Sequence, residues 1–165
     1  MVKPISPRAF DGAAGEAHRL ALRERAPIFM PASIYADDRG WSIMNQMQGV
    51  MGPDGQINYS TTYPGVIKAW HRHSKQTDFW MCLSGALKAG VWCPDTQRLW
   101  TCVLGEKRPG VLIIPPPLWH GVATVGPTPA GLLYYVTHAY NAAQPDEERA
   151  AWNAFGGFTW ATEHR

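Results

Sequence analysis

The chain has 165 residues, 45% hydrophobic and 17% charged, enough for one folded domain with a sizeable core and too few for two. Its formal charge of +2 is spread without a basic block, so nucleic acid is not an expected partner, and no apolar run approaches the ~20 residues of a spanning helix. Eight Trp and fourteen Pro suit short strands, tight turns and an aromatic-lined cavity better than a helical bundle.

In chain order, the first sixteen residues lack the charged-then-apolar layout of a signal peptide. The Ala-, Leu-, Arg- and Glu-rich stretch 16–25 predicts a short helix with Ala17, Leu20 and Ala21 on one face and Leu22 off it. Pro27 and Pro31 end it. From Ile34 the texture changes to β-like runs at 41–46, 57–62, 65–73, 78–83, 86–92, 98–104, 110–114, 120–125 and 132–140. Turn signals separate them, such as Gly52-Pro53-Asp54-Gly55, Ser84-Gly85 and Gly126-Pro127-Thr128-Pro129. Such spacing reads as an all-β sandwich or barrel and not as alternating βα units. A second short helix is predicted over 145–152, with Asp146, Glu147 and Glu148 in its first turn. The chain thus divides into an arm with a helix (1–30), a β unit (31–142), and a C-terminal helix and tail (143–165).

Cys82, Cys93 and Cys102 are odd in number and form no C-x-x-C pair. They read as small core residues in a reducing compartment, so a cytoplasmic location is expected.

The segment carrying chemistry runs from Gly65 to Gly85 and contains His71, His73 and Asp78. Side chains two apart on a strand share a face, so His71 and His73 point the same way. Asp78 opens the next strand after a short turn, and His120 opens a later one after a Pro-rich turn. Three imidazoles and a carboxylate suit one divalent transition ion, Fe, Mn, Ni, Co or Zn. Four ligands leave a six-coordinate ion two positions for water, oxygen or substrate. Taken alone, H-x-H on a strand is more often a pair of surface or hydrogen-bonding histidines than a ligand pair; the combination with Asp78 and His120 points to a metal.

The spacing Gly-x5-His-x-His-x4-Asp-x6-Gly resembles the first signature of the cupin superfamily, with Asp where Glu is usual. The run Gly110-Val-Leu-Ile-Ile-Pro-Pro-Pro-Leu-Trp-His120 resembles the second. The resemblance implies an all-β cupin jelly-roll barrel with short flanking helices. A second resemblance covers most of the chain: Asp38-Arg39-Gly40-Trp41, Gln56-Ile-Asn58-Tyr-Ser60, Gly65 to His71, Ile114 to Gly121, Leu132 to Tyr140, and Glu148 to Asn153. In that order they look like the dTDP-4-dehydrorhamnose 3,5-epimerase family, itself a cupin-type jelly roll that works without metal and forms dimers. The resemblance implies a catalytic base at His71, a general acid at Tyr134 and a nucleotide contact at Arg39. The chain departs from it at His73 (Gln in the family), Asp78 (Lys), Met44 (Glu), Pro117 (Gly), and Ala154, where an Asp partners the base.

Tyr134 and His138 share a strand parity with Tyr140 and read either as a proton donor and polar pocket wall or as a buried pair satisfied by hydrogen bonds. Trp80 shares the Asp78 face and either lines the pocket or packs the core, whereas Trp70 faces away from His71. Lys68 and Arg72 either meet an acidic substrate or lie on a solvated face.

The expectation is a metal-dependent isomerase, epimerase or lyase acting on a small sugar or keto substrate, with an ion assisting proton transfer as a Lewis acid. Its alternatives are an iron or manganese oxygenase or decarboxylase, a metal-free nucleotide-sugar 3,5-epimerase, and a non-catalytic small-molecule-binding cupin. A homodimer is expected.

Overall fold

A computed structural model describes residues 2–155 and 157–162; Met1, Gly156 and residues 163–165, which include His164 and the end of the expected tail, lie outside the described residues. The first elements are β1 (Arg8–Ala9), α1 (Ala14–Glu24), β2 (Ile28–Pro31), β3 (Tyr35–Asp37) and β4 (Gly40–Ser42). Then follow β5 (Gln56–Thr62), β6 (Ile67–Arg72), β7 (Asp78–Ser84), β8 (Ala86–Cys93) and β9 (Arg98–Gly105). The chain continues through β10 (Gly110–Ile114), β11 (Trp119–Thr124), β12 (Ala130–Val136) and β13 (Glu148–Arg149).

The strands form a six-stranded sheet in the order β1-β2-β10-β7-β12-β5 and a five-stranded sheet in the order β13-β6-β11-β8-β9, with β3 and β4 as a separate hairpin. The two larger sheets face each other over an apolar core that includes Phe29, Cys82, Leu112 and Leu132 from one and Leu87, Val91, Leu104 and Val122 from the other. Alternate residues of each strand supply that layer, as the period of two requires. All three cysteines are free and buried, in line with their expected role as small core side chains.

Helix α1 covers the outer face of the six-stranded sheet. It buries Ala14, Ala17, Leu20 and Ala21 against Ile28, Met30, Phe79, Val111 and Ile113, while Leu22 is 43% exposed. β2 is hydrogen-bonded to β10, so the sheet begins within the expected arm.

The helix expected over 145–152 is absent. Glu148–Arg149 pairs instead with Arg72 and His71 of β6, and Ala150 exchanges both backbone hydrogen bonds with Trp70. Two of the acidic residues that suggested a helix start have partners elsewhere: Glu148 binds Arg72 at 2.7 Å, and Asp146 binds the turn before β7; Glu147 pairs with Arg149. Further along this strap, Phe155, Phe158 and Trp160 pack on Trp70, and the Trp152 carbonyl accepts the indole N–H of Trp70 and of Trp160, each at 3.0 Å. Aromatic burial and strand pairing outweigh the weak helix preference of so short a segment. Among the described residues no helix is long and apolar enough to cross a membrane.

Half-buried His18 joins α1 to the sheet. Its Nε2 lies 3.1 Å from Thr77 Oγ1 and its ring meets Phe79 edge-on. Burial, then the nearby Arg19 charge, lower its pKa. The unfolded chain therefore takes up a proton, as pH falls below about 6.5, before the folded chain does. His18→Gln is expected to lose less stability than the parent chain between pH 7 and 5 in chemical denaturation. Parallel stability curves for the two would refute this.

Candidate functional site

At one end of the sandwich both sheets contribute to one polar cluster. Asp78 starts β7, flanked by Ile114 of β10 and Val136 of β12. From the other sheet, His71 on β6 lies directly opposite His120 on β11. His73 follows β6 on the turn leading to Asp78. One potential ligand atom from each of these four residues lies within 4.8 Å of every other. The structure thus brings together all four side chains singled out as ligands.

The remaining polar atoms orient them. His120 donates from Nδ1 to the Leu118 carbonyl at 2.8 Å, and His73 donates from Nδ1 to the Asp146 carbonyl. With Nδ1 so committed, both Nε2 atoms turn toward Asp78: His73 Nε2 lies 3.9 Å from Oδ1 and His120 Nε2 3.6 Å from Oδ2. Both exceed hydrogen-bond reach. His120 Nε2 is fully buried with no hydrogen-bond partner. Among the described residues no hydrogen bond holds the His71 ring, which meets the rings of His73, His120 and Trp80.

Burial opposes charge on both His71 and Asp78, with different outcomes. For His71, burial leads and the neighbouring His120 adds to it, pushing its pKa down to about 2. For Asp78, burial raises the pKa, but His120, His73 and the Gln76 amide outweigh it and bring it to about 2. Gln76 Nε2 donates to Oδ1 at 2.6 Å and Trp80 Nε1 to Oδ2 at 3.0 Å. An anionic carboxylate therefore faces a neutral imidazole at ordinary pH.

The other expected site residues divide. Trp80 is buried and holds Asp78. Tyr134 pairs with Trp80 and Asn58 in register and faces the same interior; burial first, then Asp78 and Glu147, raise its pKa, so the phenol keeps its proton. His138 is exposed past the end of β12, so strand parity does not place it. It lines a small cleft of about 60 Å³ with His73, Gln76 and Asp146. Lys68 is exposed and donates to the Thr61 carbonyl at 3.0 Å. Arg39 is not brought to the cluster: it pairs with Asp37 at 2.5 Å on the β3–β4 hairpin. The groove there, about 780 Å³, is lined only by residues between 34 and 44.

The family described as Polysaccharide biosynthesis C-terminal domain matches residues 35–148, a span that includes all four clustered side chains. The chain belongs to this family. The spore coat polysaccharide biosynthesis protein SpsL of Bacillus subtilis strain 168 is 34% identical over 139 residues, 79% of this chain and 92% of that protein. "Probable low-salt glycan biosynthesis epimerase" of Haloferax volcanii is 41% identical over 97 residues, 55% of this chain and 62% of that protein. Among solved structures, a dTDP sugar isomerase of Desulfovibrio desulfuricans G20 superimposes with a TM-score of 0.72 at 25% identity, covering 84% of this chain and 92% of that one. The all-β jelly roll expected from the sequence is the fold of this chain.

Sequence patterns missed Asp146, Gln76 and the Leu118 carbonyl. Asp146 accepts hydrogen bonds from Ser74, Lys75 and Gln76. Burial raises its carboxyl, but these donors outweigh burial and bring it to about 2. Its spacing from His73 gave no signal, because the contact joins segments 73 residues apart.

Gly121 governs how closely β11 and β6 approach. A Cβ there would lie 2.8 Å from the Lys68 carbonyl oxygen and from Ala69 Cα, and backbone cannot yield cheaply. Gly121→Ala is expected to cost about 1–3 kcal/mol in denaturant unfolding, the range of an overpacked core. Unchanged stability would show that the two strands part freely.

Proposed function

We propose that this chain is an epimerase or isomerase of a keto sugar in polysaccharide biosynthesis. The comparisons back the nucleotide-sugar epimerase alternative of the sequence analysis better than its metal-dependent main reading. The observation that carries it is an unheld neutral imidazole, His71, on the same interior as a protonated phenol, Tyr134, in a chain of this family. His71 takes the proton from the carbon beside the keto group, and the bonding pair moves toward the keto oxygen. Tyr134 then returns a proton to the opposite face of that carbon, and the pair moves back. Trp80 braces the pocket wall by holding Asp78. Three buried unpaired thiols support a reducing, cytoplasmic setting.

A second reading has its own observation, the orphaned Nε2 of His120. Ligand atoms around an ion with bonds of roughly 2.1 Å lie about 3–4 Å apart, and the His73–Asp78 and His120–Asp78 separations of 3.9 and 3.6 Å suit that. His71, His73, Asp78 and His120 would hold one divalent transition ion, and the carbonyls on the Nδ1 atoms of His73 and His120 would fix their tautomers. Such an ion would supply Lewis-acid polarisation of the keto oxygen.

One experiment tests both. Protein purified without added metal is analysed for metal, then assayed for solvent deuterium incorporation beside the keto group of a dTDP-4-keto-6-deoxy sugar, with and without chelator. Incorporation that survives chelation and falls at least about 100-fold in His71→Ala supports the metal-free reaction. Loss on chelation with recovery on adding divalent ion supports the ion. Oxygen uptake without exchange, or neither, would overturn the epimerase.

The homodimer belongs to this proposal. An isolated two-stranded hairpin is marginal in water, yet β3–β4 exposes Tyr35, Trp41 and nearby Met44, and edge strand β5 exposes Ile57 and Tyr59. A second copy would cover both surfaces. Light scattering should give twice the chain mass at micromolar concentration, and Trp41→Glu should shift the protein toward monomer. A monomeric parent chain would refute the dimer.

A further inference from the structure

The 146–150 strap meets the site at one residue in two ways. Asp146 Oδ1 accepts the Ser74 N–H at 2.9 Å and the Ser74 hydroxyl at 2.5 Å. Its Oδ2 accepts the Lys75 N–H at 3.0 Å and the Gln76 N–H at 3.2 Å. The same residue's carbonyl accepts the Nδ1–H of His73. The turn so gripped carries His73 at one end and Asp78 at the other, and Gln76 within it donates to Asp78. The strap is itself anchored on β6, where Arg149 lies beside His71 and Ala150 beside Trp70.

We propose that Asp146 is the positioning residue of the site: its carboxylate shapes the 74–76 turn, and its carbonyl keeps the His73 proton on Nδ1 so that Nε2 faces Asp78, His71 and His120. This rests on the four-residue cluster being the working site. Three backbone N–H groups in succession have one acceptor that reaches them together. Without it they must turn to solvent, and the turn loses the shape that aims His73 and Gln76. The carboxylate thus acts on the cluster through the turn, without entering the pocket.

The test uses the full chain in parent, Asp146→Ala, Asp146→Asn and Glu148→Ala forms. Glu148→Ala removes the Arg72 ion pair of the same strap without touching the turn. Long-range nitrogen–proton NMR on metal-free protein reads the tautomer of each histidine, and cobalt titration followed by its visible absorption reads binding. In Asp146→Ala, His73 should become a tautomer mixture while His120, held by Leu118, stays on Nδ1. Cobalt should bind at least about tenfold more weakly, the lower end of what orienting partners of ligands contribute. Asp146→Asn keeps an acceptor for Ser74 but not for Lys75 and Gln76, and should fall between parent and Ala; if the Ala variant does not fold, Asn decides. Glu148→Ala should match the parent in both readouts. An unchanged His73 tautomer in the Asp146 variants, or an equal change in Glu148→Ala, would overturn the proposal. If the parent binds no cobalt, the ion reading fails on its own and the tautomer measurement still decides the role of Asp146.

Discussion

A carboxylate withdrawn from water stays ionised only where donors or positive charge replace its hydration. Asp78 meets that condition at the seam between the two sheets. Its own sheet sets it between Ile114 and Val136, which offer it nothing polar. Its compensation comes from the Gln76 amide and the Trp80 indole, which donate to its two oxygens, while His73 and His120 stand 3.9 and 3.6 Å away. His120 belongs to the opposite sheet, so the cluster assembles only while the seam remains narrow. Gly121, next in sequence to His120, lets β11 lie against β6 at that point.

The rest of the fold divides between filling and aiming. Away from the seam the space between the sheets is packed with aliphatic and aromatic side chains, so the polar cluster has no room to spread inward. Outside, α1 covers one sheet and the aromatic strap covers part of the other. Both layers touch the segment before Asp78: His18 reaches Thr77 from the helix, and Asp146 grips residues 74–76 from the strap. The five residues between β6 and β7 are therefore fixed from two sides, unlike a solvated connection. Removing one member of a buried charged group leaves the others uncompensated, and that cost exceeds the net worth of the pair.

Much of this was legible in the sequence, and the losses have physical causes. Because alternation and turn residues are local signals, eight of the nine β-like runs overlap a strand over most of their length, and 41–46 shares only Trp41 and Ser42 with β4. His71, His73, Asp78 and His120 could be grouped because strand spacing and the two signatures carry their geometry. His138 was misplaced because parity extends only as far as the strand, and β12 ends at Val136. The acidic run at 146–148 suggested a helix start, but Glu148 is spent on Arg72 and Asp146 on backbone N–H groups far away in sequence, while Glu147 pairs with Arg149 beside it. A carboxylate partnered by main chain leaves no pattern of residue types to read. The carbonyls that set the His73 and His120 tautomers belong to Asp146 and Leu118, and any residue could have supplied them.

His71 is the point on which the two chemical readings divide, since a lone pair can be used once. An imidazole whose Nε2 is given to an ion cannot also take a proton from carbon with it. His73 and His120 each have Nδ1 committed to a carbonyl, which suits a ligand and also suits a neutral structural imidazole. His71 has no such commitment among the described residues, and Ala154 stands where the resembled epimerases carry the Asp that partners their base. Among the described residues no hydrogen bond fixes its ring, so none there selects its tautomer. Burial and His120 disfavour its protonated form and the Asp78 carboxylate offsets them only in part, so it is a weak base until further negative charge arrives. The phosphates of a nucleotide sugar, or the developing charge on a keto oxygen, would be such a partner. A base strengthened by such charge would be spared idle protonation, and burial is what would make that coupling strong.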